Sequence, residues 1–161
     1  MGALQYVQFP DYNAILFRRT YKDLSLPEAL LDRAKEWLFD TDARWNDQTK
    51  TWSFPSGAKL TFGHLDYEDA KYQYQGAAFQ FAGFDELTQF TESQYSYLFS
   101  RLRRLEGSDI PLRMRCASNP GGVGHEWVKA RFLTTKDPTR VFIPASMHDN
   151  PYLDRKAYEE S

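Results

Sequence analysis

The chain has 161 residues, of which 42% are hydrophobic and 16% aromatic, so it is long enough for one domain and too apolar for a disordered protein. Its formal net charge of −2 gives no overall attraction to DNA or to an anionic membrane, so any contact with nucleic acid needs a local basic patch. The single cysteine, Cys116, excludes an internal disulfide. No apolar run approaches the roughly 20 residues that cross a bilayer, which argues against a membrane protein.

The first half of the chain contains strand, helix and hairpin signals in that order. Residues 13–19 have the apolar pattern of a buried strand and end in two arginines. Residues 25–28, Ser-Leu-Pro-Glu, predict a capping box, and apolar residues at helical spacing follow over 30–38. Two short strand patterns, 51–54 and 58–65, flank Pro-Ser-Gly and predict a hairpin.

The second half repeats the alternation of strand and helix. A polar, helical link over 66–74 precedes a strand over 77–84. Thr91 and Gln94 predict a second capping box, whose helix is followed by a strand over 112–117. A short helix over 126–133 and a last strand over 140–145 complete the pattern. Strands separated by helices predict an α/β fold, with a mainly parallel sheet flanked by helices and a β-hairpin insertion.

Two adjacent carboxylates, Asp85 and Glu86, directly follow the predicted strand over 77–84. Functional groups gather at the carboxyl ends of parallel strands, and an apolar strand that ends in Asp-Glu has the Walker B pattern. Asp85 would then hold Mg²⁺, and Glu86 would polarise the water that attacks the γ-phosphate of ATP. The alternative is a solvated acidic pair that begins a loop, which is common after a strand.

A second polar turn, Cys-Ala-Ser-Asn-Pro-Gly-Gly over 116–122, follows the next strand. In ATPases with an additional central strand, a polar residue at the tip of that strand contacts the γ-phosphate. Ser118 and Asn119 are therefore candidates for nucleotide contacts, and Gly121 would let the backbone move as the nucleotide changes. An ordinary turn is the alternative, because Asn-Pro-Gly-Gly favours turns in any protein.

The order of these features resembles the ATPase domain of the large terminase subunit of tailed bacteriophages. YQYQGAAFQFAGFDELTQFTESQYSYLFSRLRR (72–104) and RCASNPGGVGHEWVKARF (115–132) carry the resemblance, which ALQYVQFPDYNAILFRRTYKDL and FIPASMHDNPYL extend over nearly the whole chain. It implies an incomplete P-loop NTPase fold of the ASCE or RecA-like type. It also implies a motor that hydrolyses ATP with Mg²⁺ to drive DNA into a capsid, together with a C-terminal nuclease domain.

The sequence departs from the family pattern in its phosphate-binding and arginine elements. The 161 residues contain no Gly-x-x-x-x-Gly-Lys-Ser/Thr loop, so we expect weak or absent ATP binding and no hydrolysis by the chain alone. Some relatives carry an arginine finger where this chain has Gln75. Arg18 and Arg19 match the family best as replacements, and the arginines over 101–104 are alternatives.

The resemblance also implies partners and domain limits. It predicts a truncated ATPase domain over 1–148 and the start of a linker over 149–161, in a protein of the bacterial host cytoplasm. Double-stranded DNA, a portal protein, the small terminase subunit and a homo-oligomeric ring are the implied partners. A non-catalytic assembly module, a remnant of another RecA-like nucleic-acid motor and a metal nuclease built on the carboxylate pair remain alternatives.

Overall fold

The computed structural model describes residues 2–149, and the chain divides into two compact units, Met1–Val128 and Lys129–Ser161. The first unit contains one six-stranded sheet. Its strands in chain order are β1 (Asn13–Arg18), β2 (Arg44–Asn46), β3 (Thr51–Ser53), β4 (Lys59–His64), β5 (Phe81–Asp85) and β6 (Arg113–Ala117). The helices are α1 (Tyr21–Ser25), α2 (Leu30–Leu38), α3 (Glu92–Phe99) and α4 (His125–Lys129).

The strand order β2-β3-β4-β1-β5-β6 confirms the predicted mainly parallel sheet with a hairpin. The four strands β4, β1, β5 and β6 run parallel to one another. At one edge of the sheet, β3 pairs with β4 and β2 pairs with β3 in antiparallel fashion. Gly57 adopts φ 95° in the turn between β3 and β4, a conformation that favours glycine. Because β1, β5 and β6 are parallel, their carboxyl ends lie side by side along the same end of the sheet.

Both faces of the sheet are covered by apolar side chains. On one face Phe17 stacks on Phe84 at 5.0 Å, and Phe84 also meets Phe90 at 5.0 Å in an edge-on contact. On the other face Leu31 and Ala34 of α2 belong to a separate cluster of buried residues. Because side chains alternate along a strand, the two faces use alternate positions of β1 and β5.

Local structure differs from the sequence prediction around the second helix. Ser25 does not cap it: α2 begins at Leu30 after Ala29, whose side chain is a methyl group and cannot accept a capping bond. Thr20 instead caps the short helix α1, accepting a hydrogen bond from the Asp23 N–H at 3.1 Å. The second predicted capping box is confirmed, because the side chains of Thr91 and Gln94 each accept from the other's backbone N–H.

The second unit contains helical turns and no strand among its described residues. The predicted strand over 140–145 is wrong, because these residues form no ladder with any described strand and Ile143 is 80% exposed. A strand is stabilised by hydrogen bonds to a neighbour, so an apolar sequence without a partner strand stays irregular. The predicted helix over 126–133 is α4 followed by a π-helical turn, Ala130–Thr134. The proposed linker over 149–161 lies outside the described residues except for Asp149.

One β-strand, β2, has no counterpart in the sequence prediction. It is three residues long, and its Trp45 pairs with Trp52 of β3.

No described helix combines the length and apolarity needed to cross a membrane.

Candidate active site

The sheet register brings the two predicted polar turns side by side. Asp85, the last residue of β5, pairs with Ala117, the last residue of β6. Glu86 and Ser118 therefore leave adjacent strands at the same edge. The carboxylate pair and the Ser118-Asn119 turn, which are distant in sequence, are neighbours in the fold.

Arg18 forms an ion pair with Asp85. The register pairs Phe17 with Phe84, so the next residue of each strand lies beside the other. Arg18 Nε is 2.6 Å from Asp85 Oδ2, and the two side chains are 25% and 27% exposed. The same Nε makes no aligned hydrogen bond within the described part of the chain, so the contact lacks the N–H···O geometry of a strong arginine–carboxylate pair. A positive charge at this position offsets the repulsion between the adjacent carboxylates.

Glu86 has an unusual backbone conformation. Its φ of 56° and ψ of 56° lie in the left-handed region, which costs a non-glycine residue about 1 kcal/mol or more. The turn directs the chain across the end of β6, where Glu86 Oε2 accepts a long hydrogen bond from the Asn119 N–H at 3.4 Å. The two adjacent carboxylates therefore contact different groups: Asp85 contacts an arginine of β1, and Glu86 contacts the turn after β6.

Thr88 connects the two turns, and sequence analysis did not identify it. This residue is 6% exposed, and its N–H donates to Ser118 Oγ at 3.1 Å. Its hydroxyl lies 2.9 Å from Ser118 Oγ and donates to the Asn119 carbonyl at 3.1 Å. Its carbonyl accepts from the Gly124 N–H at 2.7 Å. In the sequence, Thr88 is only a polar residue shortly after the carboxylate pair. Its hydrogen-bond partners cannot be read from the sequence, because they depend on which strands are neighbours in the sheet.

The glycine-rich turn packs closely against Thr88. Gly122 adopts φ 78°, and a Cβ atom there would lie 2.7 Å from the Thr88 carbonyl oxygen. Gly121 adopts φ 106°, and its N–H donates to His125 Nδ1 at 3.0 Å. The Gly121 amide is therefore already engaged within the protein. Ser118 and Asn119 are exposed residues, and the Ser118 hydroxyl donates to the Asn119 carbonyl at 3.0 Å.

The two candidate arginines have different surroundings. Arg18 contacts Asp85, as described above. Arg19 Nη1 donates to the Leu65 carbonyl at 2.5 Å and to Gln94 Oε1 at 2.9 Å. Gln94 is fully buried, and its amide nitrogen donates to the Leu65 and Tyr67 carbonyls. Arg19 therefore belongs to a network that joins β1 to the start of α3, and Arg18 is the arginine at the carboxylate pair.

A single carboxylate, that of Asp85, could contribute to a metal site that other ligands complete. Among the described residues, no three His, Cys, Asp or Glu side chains form a group that could hold a metal ion. Mg²⁺ in nucleotide sites commonly uses one or two carboxylates and completes its shell with water and phosphate oxygens. Asp85 fits this role, because its carboxylate is partly exposed and ends a parallel strand.

An apolar cavity of about 380 Å³ lies beside Asp85, between one sheet face and α2. Leu16, Phe81 and Trp37 are among its lining residues, with Asp85 and Arg115. Phosphate binding requires converging N–H groups or cations, so this mainly apolar cavity does not by itself provide a phosphate site.

Comparison with known proteins identifies the family. A family model described as terminase large subunit, T4likevirus-type, N-terminal, matches residues 1–159. The chain belongs to this large-terminase family. A search of curated protein sequences gave no match.

Solved large-terminase structures have the same fold. The large terminase from a thermophilic bacteriophage, in crystal form 2, aligns with a TM-score of 0.73 at 20% identity, covering 94% of this chain and 37% of that protein. The same phage protein in complex with ADP aligns with a TM-score of 0.71 at 21% identity and with the same coverages. In complex with ATP-γ-S it aligns with a TM-score of 0.70 at 19% identity, covering 94% of this chain and 36% of that protein. The chain thus spans little more than a third of the length of these structures, and identities this low establish the fold alone.

Proposed function

We propose that this chain forms the carboxylate and sensor side of the ATP-hydrolysing site of a phage DNA-packaging motor. The observation that carries the proposal is the meeting of Asp85, Glu86, Ser118 and Asn119 at one sheet edge, held together by Thr88. Membership of the large-terminase family supports the same assignment. The large terminase of the thermophilic phage was solved with ADP and with ATP-γ-S, which supports a nucleotide as the ligand.

Each residue has a distinct task in this proposal. Asp85 would hold a Mg²⁺ ion bound together with ATP, and that ion would supply positive charge beside the phosphates. Glu86 orients the attacking water and accepts its proton. The side chains of Ser118 and Asn119, which are exposed beside Glu86, donate hydrogen bonds to the γ-phosphate, and the Ser118 hydroxyl turns from the Asn119 carbonyl to do so. The phosphate-binding loop comes from outside these 161 residues, so the chain alone binds Mg·ATP weakly and does not turn it over.

The wider setting is also part of the proposal. In the complete subunit, ATP hydrolysis moves double-stranded DNA into the capsid in the cytoplasm of a bacterial host. The small terminase subunit, the portal protein and other copies of the large subunit in a ring are the proposed partners. Family membership supports DNA packaging in general, and the individual partners are inferred from it.

Amide NMR of the chain during a Mg·ATP titration tests the site assignment. We expect weak binding that moves the signals of residues 85–88 and 118–119, and no phosphate release. Asp85→Asn should remove the shifts, whereas Asp109→Asn should retain them, because Asp109 is exposed and precedes β6, at the opposite end of that strand. ATP with EDTA gives the metal-free control.

Two results would contradict parts of the proposal. Shifts that cluster elsewhere, or no shift at millimolar Mg·ATP, would reject the site and favour a non-catalytic assembly module. Robust hydrolysis by the chain, lost in Glu86→Gln, would reject the proposed inactivity and retain the role of Glu86.

A further inference from the structure

The Arg18–Asp85 ion pair occupies the carboxylate to which the proposed function assigns a metal ion, so the following inference rests on that function. Arg18 Nε contacts one carboxylate oxygen of Asp85, Oδ2, at 2.6 Å, so a divalent cation that uses this oxygen competes with the guanidinium. A cation bound through Oδ1 alone would leave the pair closed, and the two cases give different results. The structure therefore contains a competition that can be measured.

Three features make this ion pair exchangeable. Its Nε makes no aligned hydrogen bond to any described residue, so the guanidinium is held mainly by charge. Both side chains keep about a quarter of their surface exposed, so parts of each are in contact with water although the Nε atom itself is buried. Asp85 also lines the 380 Å³ cavity, which leaves space beside its carboxylate.

The backbone around Arg18 is fixed while its side chain remains exchangeable. Arg19, the next residue, is tied to the Leu65 carbonyl and to the buried Gln94. Strand β1 pairs on both sides, with β4 and β5, up to this point. Opening the ion pair therefore requires rotation of one long side chain and no change in the sheet.

We propose that Arg18 is the resident counter-ion of Asp85, and that a divalent cation displaces it when the site is loaded. The arriving cation replaces one positive charge with two, so Asp85 remains compensated throughout. The displaced guanidinium stays at the same sheet edge, where its N–H groups can pair with an oxygen of the phosphate that accompanies the metal. Arg18 is thus a positioning residue that links metal occupancy to anion binding in the same subunit.

Binding of Mn²⁺ to the chain, followed by electron paramagnetic resonance of the free ion without nucleotide, tests this exchange. Removing a competing ligand should tighten metal binding by roughly fivefold or more, the lower range of coupling between two ligands. We expect this increase in Arg18→Gln and in Arg18→Met, which keeps most of the apolar stem. Arg104→Gln makes the same change in net charge at an exposed site and should leave affinity nearly unchanged. Thermal unfolding identifies any variant that has lost its fold.

The Arg18 Nε–H signal in NMR gives a second readout. Addition of Mg²⁺ should shift it in the wild-type chain and leave it unchanged in Asp85→Asn. Equal Mn²⁺ affinity in the Arg18 and Arg104 variants, together with a silent Arg18 signal, would overturn the exchange and leave metal binding at Asp85 intact. Unchanged Mn²⁺ affinity in Asp85→Asn would also overturn the exchange, because the nucleotide-free metal would then bind away from Asp85. The metal assignment of the proposed function is tested separately by the Mg·ATP shifts, which Asp85→Asn should remove.

Discussion

The bonds between Thr88 and Ser118 predict strong energetic coupling between two residues that lie far apart in sequence. Thr88→Val keeps the side-chain shape and removes a hydroxyl that lies 2.9 Å from Ser118 Oγ and 3.1 Å from the Asn119 carbonyl. Ser118→Ala removes the acceptor of the Thr88 N–H at 3.1 Å. Each substitution breaks part of the same small network, so the second substitution should cost less after the first.

The magnitudes follow from the burial of each group. A hydrogen bond contributes about 0.5–1.5 kcal/mol, and Thr88→Val breaks up to two whose partners are exposed to water, so we expect a loss of about 1–2 kcal/mol. Ser118→Ala leaves the N–H of the buried Thr88 without its acceptor, which also costs about 1–3 kcal/mol. The coupling between the two changes should be about 0.5–1.5 kcal/mol.

Urea unfolding of the wild-type chain, both single variants and the double variant measures this coupling. Thr135→Val is the matched control, because Thr135 is exposed and its substitution should change stability by less than about 0.5 kcal/mol. Additive single effects, within about 0.3 kcal/mol, would refute the proposed connection between the carboxylate turn and the Ser118 turn.

Two further predictions concern acidic residues. Glu86→Gly should stabilise the chain by about 0.5–1 kcal/mol in urea unfolding, because glycine accepts φ 56° without strain. Glu86→Ala should give no such gain. Equal stability of the two variants would refute the argument. Hydrogen bonds from Lys71 and then from Thr91 lower the pKa of Glu68 to about 2, so its contribution to stability is complete above the ordinary pKa of 4.5 and is lost as the pH falls towards 2. The stability difference between the wild-type chain and Glu68→Gln should therefore shrink across that pH range, and a constant difference would contradict the assignment.

Local sequence rules predicted those parts of the fold that local interactions determine. The apolar runs located the central strands, and Thr91 with Gln94 formed the expected capping box, because both partners lie within one helical turn. Ser25 does not cap α2, because it is the last residue of α1, the short helix that Thr20, an equally suitable capping residue, begins. Sequence alone does not rank two such candidates, since the choice depends on how the following chain packs.

Local sequence rules did not predict the contacts between side chains of different strands. The sequence identified Asp85 and Ser118 from motifs, but the ion pair to Arg18 depends on the register of β1 against β5. Sequence analysis did not identify Thr88, because its hydrogen-bond partners belong to the turn after β6. The segment over 140–145 shows the converse case, since strand propensity alone produced no strand where no partner pairs with it among the described residues.

The adjacent carboxylates at the end of β5 are tolerated for two separate reasons, and these reasons make different demands on a ligand. Asp85 is compensated by the Arg18 side chain, which in the proposed exchange moves away while the sheet stays unchanged. Glu86 itself has left-handed backbone angles, and Thr88, two residues later, is hydrogen-bonded to Ser118, so a change in the Glu86 backbone would move Thr88. A cation that takes the place of Arg18 would therefore meet a preformed Glu86, already directed towards Asn119. If Glu86 activates the water as proposed, the cost of orienting it is met during folding, and ligand binding supplies only the proposed exchange at Asp85.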